Sequence, residues 1–421
     1  MMASGLAVGA EALAAPPPGR GRRLGAGWYL VIAIGALAVV SVVRMLTGAD
    51  DLTSGGTVGA ALTAAVPIAM AGLGGLWAER AGVVNIGLEG MMVLGTWGAG
   101  FAGYQWGPWA GVVFGLLLGA LGGLLHAIAT VTFGVDHIIS GVAINLLAPG
   151  TALFLSKLYF TKAPGGGQRQ SPPISDAQHV SLPGVSSLLD GLQRRHWFLV
   201  SDLAGVLRGL TVQVSLLSIT AALLLAGTLY VLWRTPFGLR LRSCGEAPVA
   251  AESLGVNVYK YKYYAVIASG AFAGLGGAFL AISSSQFRDG QTGGRGFIGL
   301  AAMIFGNWRP GGLAVGAGLF GYTDAVQLRG SDAVHALLLL LAIALLALAV
   351  VQVLARRVGI AAVAAVLGVA FGWWFFASDE LPPELVGAAP YVVTLLVLAL
   401  ASQRLRMPKA DGRIYRRGES G

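Results

Sequence analysis

Charge is scarce in this chain. Lys, Arg, Asp and Glu together make up 11% of the 421 residues, while 56% are hydrophobic. A soluble globular domain carries about 25% charged residues, so too little polar surface is left here to cover a water-facing globule. Cysteine is almost missing. The single Cys244 excludes an intramolecular disulfide and a Cys-only metal site. The five histidines are scattered, without metal-ligand spacing. No lysine follows a glycine, so there is no GxxxxGK[ST] phosphate loop and no ATP binding of that kind. No Ser-His-Asp or HExxH arrangement and no paired-carboxylate motif marks a hydrolytic site. These absences point to a chain that is not an enzyme, holds no cofactor or metal, and takes its energy from elsewhere.

Long apolar runs are abundant, Val212 to Trp233 and Val334 to Leu354 among them. At about 1.5 Å rise per residue such a run reaches ~30 Å, the thickness of the hydrocarbon layer. The expected fold is an all-α polytopic transmembrane bundle of about 10–12 segments, some broken or re-entrant. The expected spans are 28–46, 57–78, 88–105, 109–131, 138–158, 211–233, 262–283, 297–307, 311–328, 334–354, 358–377 and 387–403. An Ala/Gly/Pro/Arg leader occupies 1–27 and a basic tail 404–421, flanking a membrane domain over 28–403. Glycine, at 64 residues, sits inside the apolar runs. Gly270, Gly274 and Gly277 lie near one helical face, as do Gly115, Gly119 and Gly122, which suits close helix packing in lipid.

The net charge of +9 does not signal nucleic acid, because the basic residues lie between and beyond the spans. With the amino terminus inside, Arg234, Arg240, Arg242, Lys260, Lys262, Arg356, Arg357 and the tail fall inside, and Asp379, Glu380 and Glu384 outside. Both termini are then cytoplasmic, in an inner or plasma membrane. The long segment 159–210 carries Lys162, Arg169, Arg194, Arg195 and Arg208 on the outer side, where long loops cross largely regardless of charge. Its two amphipathic stretches suit a cap over the outer mouth.

Three constellations carry polar residues. GLWAERAGVVNIGLEGMM, from Gly75, places Glu79, Arg80, Asn85 and Glu89 between two apolar spans, with glycines beside them. Charges in lipid cost about 2.5–3.5 kcal/mol or more and usually face a cavity with partners. Asn85 and Glu89, four apart, share a face if the second half is helical. The competing interpretation is an ordinary loop with Glu79 paired to Arg80. The second constellation, Arg234 to Asn257, contains Ala247, Ala250, Ala251 and Leu254 at one-face spacing, Pro248 in a first turn and Gly255 as a stop. A small smooth apolar face outside the membrane suits a groove on a partner protein better than a lipid surface, which favours bulkier residues. The third, Gln286 to Pro310, sets Arg288, Asp289 and Arg295 around a glycine-rich turn before a short apolar segment; it suits a broken element near a solute path, and Arg295 at the headgroups explains it equally well.

At these motifs the sequence resembles the permeases of the branched-chain amino acid and simple-sugar ABC importer superfamily. AERAGVVNIGLEG resembles the nucleoside branch most, and DHIISGVAINLLAPG from Asp136, TPFGLRLRSCGEAPVAAESLGVN and GGRGFIGLAAMIFGNWRPGG resemble its further blocks in order, over roughly 57–330. The resemblance implies a type II-like importer permease that pairs with a second, related permease. ATPase subunits would bind the ATP and dock on the coupling loop, 234–258, and an extracytoplasmic lipoprotein would deliver a nucleoside, sugar or similar polar solute. It carries over Gly238, Arg240, Arg242, Glu246, Ala250, Ala251 and Gly255 as the loop that meets the ATPase. It also carries over Glu79, Asn85 and Glu89, with Asn145 of the second block, as translocation-path candidates. The alternative is a secondary transporter driven by an ion gradient, which would need ionisable residues within the spans, where this chain has few.

Overall fold

The computed structural model describes residues 26–418 except 183, 379–380, 383, 389–391 and 393–404. The leader, the pair Asp379 and Glu380, Arg404 and nearly all of the expected span 387–403 lie outside the described residues. The rest is α-helical; the β-structure among the described residues is little more than a two-residue antiparallel pair, β1 (His179–Val180) with β2 (Val214–Ser215). Long helices are α1 (Ala26–Thr47), α2 (Gly55–Arg80), α3 (Leu88–Trp106), α4 (Pro108–Ala127) and α5 (His137–Tyr159). Two short helices, α6 (Val185–Gln193) and α7 (Val200–Thr211), precede α8 (Leu216–Arg234). Then come α9 (Pro236–Glu246), α10 (Pro248–Ser253), α11 (Val258–Ser283), α12 (Arg295–Phe305), α13 (Pro310–Gln327), α14 (Ser331–Leu354) and α15 (Val358–Ala377).

Among the described residues, seven helices are long and apolar enough to cross a membrane. Side-chain caps start several of them. Ser54 accepts from Thr57 N at 3.1 Å, Asp136 from Ile138 N at 2.9 Å, and Ser215 from Leu217 N at 3.2 Å, each satisfying an orphan donor of a first turn. The expected span from 211 is shorter than the apolar run suggested. α7 ends at Thr211 and α8 begins only at Leu216, because Val214 and Ser215 pair in the small sheet.

The centre is built on glycine. α4 and α11 cross so closely that a Cβ on Gly119 would lie 2.3 Å from the Gly270 carbonyl oxygen, and one on Gly274 2.3 Å from that of Gly115. Gly95 of α3 meets Gly274 in the same way, at 2.3 Å. In lipid no hydrophobic effect separates helix from solvent, so backbone proximity and dispersion hold this junction. α5 instead turns large apolar side chains outward: Leu146 is 75% exposed and Phe154 65%, surfaces suited to lipid or a partner subunit. At one end of the bundle, buried Arg44 of α1 pairs with fully buried Asp202 of α7 at 2.9 Å, tying α6 and α7 onto the bundle.

Candidate functional site

α2 stops at Arg80 and the chain runs without helix until Leu88. Gly82, at φ +81°, makes the turn in the left-handed region. A helix break inside a bundle frees backbone polar groups, and each must find a partner away from water. Asn145, on α5, serves two of them: its Oδ1 accepts from Gly90 N at 2.8 Å and its Nδ2 donates to the Ile86 carbonyl at 2.9 Å. Asn85, fully buried, donates to Ser269 Oγ at 2.8 Å and accepts from Gly87 N at 3.0 Å. Two histidines that spacing did not single out complete the set. Val84 N donates to His137 Nδ1 at 3.3 Å, and the Val84 carbonyl pairs with His126 Nε2 at 3.0 Å. Asn85 and Glu89 therefore do not share a helical face. Asn85 lies in the break and Glu89 in the first turn of α3, since the glycines at 82 and 87 delay helix formation until Leu88.

Glu89 does something sequence spacing did not show. Its Oε1 accepts from Gly294 N at 3.0 Å and its Oε2 from Gly296 N at 2.7 Å. Those are orphan donors at the start of the half-helix α12, where the helix dipole is also positive. The approach requires glycine: a Cβ on Gly296 would lie 2.6 Å from Glu89 Cα. Gly293 and Gly294 turn the chain at φ +53° and +80°. Arg295, next to the cap, pairs with Asp324 of α13 at 2.9 Å rather than facing headgroups alone. A small cavity of about 140 Å³ opens there, lined by Ile68, Arg295, Phe320, Asp324 and Gln327.

The lower end of α12 is fastened to the end of α2. Trp308 Nε1 donates to buried Glu79 at 2.5 Å, and Arg80 donates twice to the Trp308 carbonyl, at 3.0 and 2.6 Å. Glu79 and Arg80 thus do not form the pair of the ordinary-loop interpretation; both turn to Trp308. Asn307 and Trp308 hold positive φ of 55° and 52°, a strained turn that these contacts maintain.

The 234–258 loop folds as two helices. Thr235 caps α9 by accepting from Gly238 N at 3.2 Å, and Pro236 and Pro248 occupy first turns. Ala247, Ala250 and Leu254 are exposed, Leu254 by 85%. Ala251 is not part of that surface. It is 3% exposed and packs with Cys244 and Val258, because α10 lasts six residues and folds back on α9. Gly238 also faces inward, where a Cβ would lie 2.2 Å from the Val231 carbonyl oxygen. Gly255, at φ +81°, is the stop. Arg240 reaches Tyr261 at 3.4 Å, Arg242 lies 5.5 Å from the Trp233 ring centroid, and exposed Glu246 faces Arg80 at 3.9 Å. Lys262, expected among the loop charges, is instead buried and donates to the Gly82 carbonyl at 3.4 Å.

The family described as branched-chain amino acid transport system / permease component matches residues 57–349, well over half of the chain. The chain belongs to this permease family. It is 36% identical over 370 residues to the guanosine ABC transporter permease protein NupQ of Bacillus subtilis, covering 86% of this chain and 96% of the relative. To the nucleoside ABC transporter permease protein NupC of Lactococcus lactis it is 34% identical, covering 83% and 93%. The putative glucose ABC transporter permease protein TsgC13 of Haloferax volcanii is 35% identical, covering 66% and 78%. No solved structure matches the chain significantly.

Beyond the residues that the motifs marked, the permease carries one arrangement that composition alone did not suggest. Residues 405–418 of the basic tail return to the bundle beneath the helix break. Ala410 N donates to the Gly245 carbonyl at 2.8 Å, and Asp411 is 8% exposed beside Glu79. Burial pushes the Asp411 carboxyl up to about 7.

Proposed function

We propose that this permease is one of two membrane subunits of an ATP-driven importer and that its solute is a nucleoside. The observation that carries the solute class is likeness along nearly the full length of two relatives whose names specify nucleosides and guanosine. In this reading α9 and α10 face the cytoplasm, where the basic residues of the loop and tail agree with the positive-inside rule. An ATPase subunit docks on the exposed edge of Ala247, Val249, Ala250 and Leu254. A second related permease completes the pathway and an extracytoplasmic binding protein supplies the solute.

Mechanism follows from the connections. Glu246 and Gly245 of α9 touch Arg80 and the start of the break, and Arg80 holds Trp308 at the foot of α12. A push on α10 therefore reaches both broken elements through contacts of a few ångströms. Their facing ends are joined by Glu89, so the pair moves as one gate, with alternating access driven by closure of the ATPases.

Reconstitution with the co-expressed ATPase, second permease and binding protein tests this. ATP-dependent uptake of labelled guanosine, competed by other nucleosides and not by glucose, is expected. Uptake of glucose instead would reject the solute. Replacing exposed Ala250→Glu should abolish ATPase co-purification while membrane insertion persists; a full complement of ATPase on that variant would reject the docking edge.

A further inference from the structure

The tail strap poses a question that the docking edge leaves open. Lys409 N donates to Glu246 Oε2 at 3.4 Å, and four further contacts fix the strap. Arg406 N donates to Asn307 Oδ1 at 2.8 Å in the turn between α12 and α13, and Ala410 N to Gly245 at 2.8 Å at the end of α9. Tyr415 OH donates to Glu252 of α10, and Arg417 Nε meets the same carboxylate at 2.9 Å. Between these anchors the residues divide by direction. Pro408, Ala410 and Asp411 are buried, while Lys409, Arg413 and Arg416 are exposed. The single acid of the segment points inward and its cations point out.

The strap does not lie flat on the loop. It stands off from it, leaving a groove of about 590 Å³ with Ala247, Val249 and Ala250 on one wall and Lys409, Arg413 and Ile414 on the other. We infer that residues 405–418 form the second wall of the ATPase-docking groove and that their outward cations engage an acidic strip of the ATPase subunit. This rests on the docking reading above. Three features favour this occupant. The groove is continuous with the exposed edge of α10, so whatever contacts Ala250 also meets Ile414. Apart from Glu246 its loop wall is apolar, and its tail rim is cationic, which complements an apolar side chain flanked by carboxylates. A segment that merely held anionic headgroups would need charge but no concavity, and its backbone would not be hydrogen-bonded to two separate parts of the protein, the α12–α13 turn and the end of α9. Because the strap is tied at Asn307 as well as at Glu252, an ATPase gripping it would pull on the α12–α13 turn and on α10 together.

The test uses the assembled transporter with its co-expressed ATPase. Cys244 is fully buried, so a cysteine placed at Ile414 takes a benzophenone maleimide with little background. Photolysis of labelled Ile414→Cys should crosslink to the ATPase, as should Ala250→Cys, while Leu354→Cys, exposed on α14, should not. Separately, Lys409→Gln, Arg413→Gln and Arg416→Gln together should weaken ATPase retention about tenfold and flatten its salt dependence, as expected for several rim pairs lost at once. These side chains are exposed, and detergent size-exclusion profiles check that folding is preserved. A crosslink from Ala250→Cys with none from Ile414→Cys, and normal retention of the triple variant, would overturn the tail's role and leave the docking edge standing. Loss of both crosslinks would reject the docking reading itself. Retention unchanged but activity lost only in anionic-lipid nanodiscs would assign the cations to lipid and overturn the inference.

Discussion

Replacing Glu89 with alanine removes the side chain that joins the start of α3 to the start of α12. The carboxylate accepts two backbone N–H groups, at 3.0 and 2.7 Å. Hydrogen bonds to a charged group contribute about 1.5–3 kcal/mol each. The field at a helix start adds roughly 0.3–1 kcal/mol, so the latch is worth on the order of 3–7 kcal/mol before relaxation. Losing even about 3 kcal/mol raises the population with a detached α12 start about a hundredfold. Thr292, two residues before the cap, is 4% exposed and reports that opening directly. In a Thr292→Cys background, labelling by a small maleimide should accelerate on the order of a hundredfold in Glu89→Ala, since it tracks the open fraction. Glu89→Gln keeps one acceptor and should lie between, and uptake should fall in the same order while assembly persists. A Glu89→Ala variant that labels at the parental rate and transports normally would refute the latch.

The glycine junction makes a sharper packing prediction. Gly119→Ala would press a methyl 2.3 Å from the Gly270 carbonyl oxygen and should cost at least about 1–3 kcal/mol, seen as a lower melting temperature in detergent, whereas Gly227→Ala, with open space around it, should be neutral or slightly stabilising. The strap should loosen with pH. Asp411 lies among Glu79 and Arg80 of α2 and Lys262 of α11, and burial pushes its carboxyl from 3.8 to about 7. The docked tail therefore holds a proton that a free tail releases, so docking weakens as pH rises from 3.8 toward about 7 and levels off above it. Fluorescence anisotropy of a dye on Ile414→Cys should fall across that window, and Asp411→Asn should flatten the profile; a slope that survives the substitution would assign the titration elsewhere.

What the sequence determined by itself was what neighbours along the chain decide. Apolar runs of membrane-spanning length, a Pro at the start of α10 and Gly255 at its end are signals read within a turn or two, whereas α9, capped by Thr235 ahead of Pro236, was seen only in the structure. The same holds for the break after Arg80, where glycines and polar residues interrupt an apolar pattern. Tertiary structure alone decided what those polar residues do. Asn85 and its partner Ser269 are 184 residues apart, and Glu79 and Trp308 229 apart, so no periodicity connects them. Ala250 and Ala251 are adjacent and chemically identical, yet one faces out and the other packs on Cys244. The scarce charges with which the sequence announces itself are spent in the same way. Glu79, Glu89 and Lys262 are drawn inward by backbone and side-chain groups that a broken helix leaves without water.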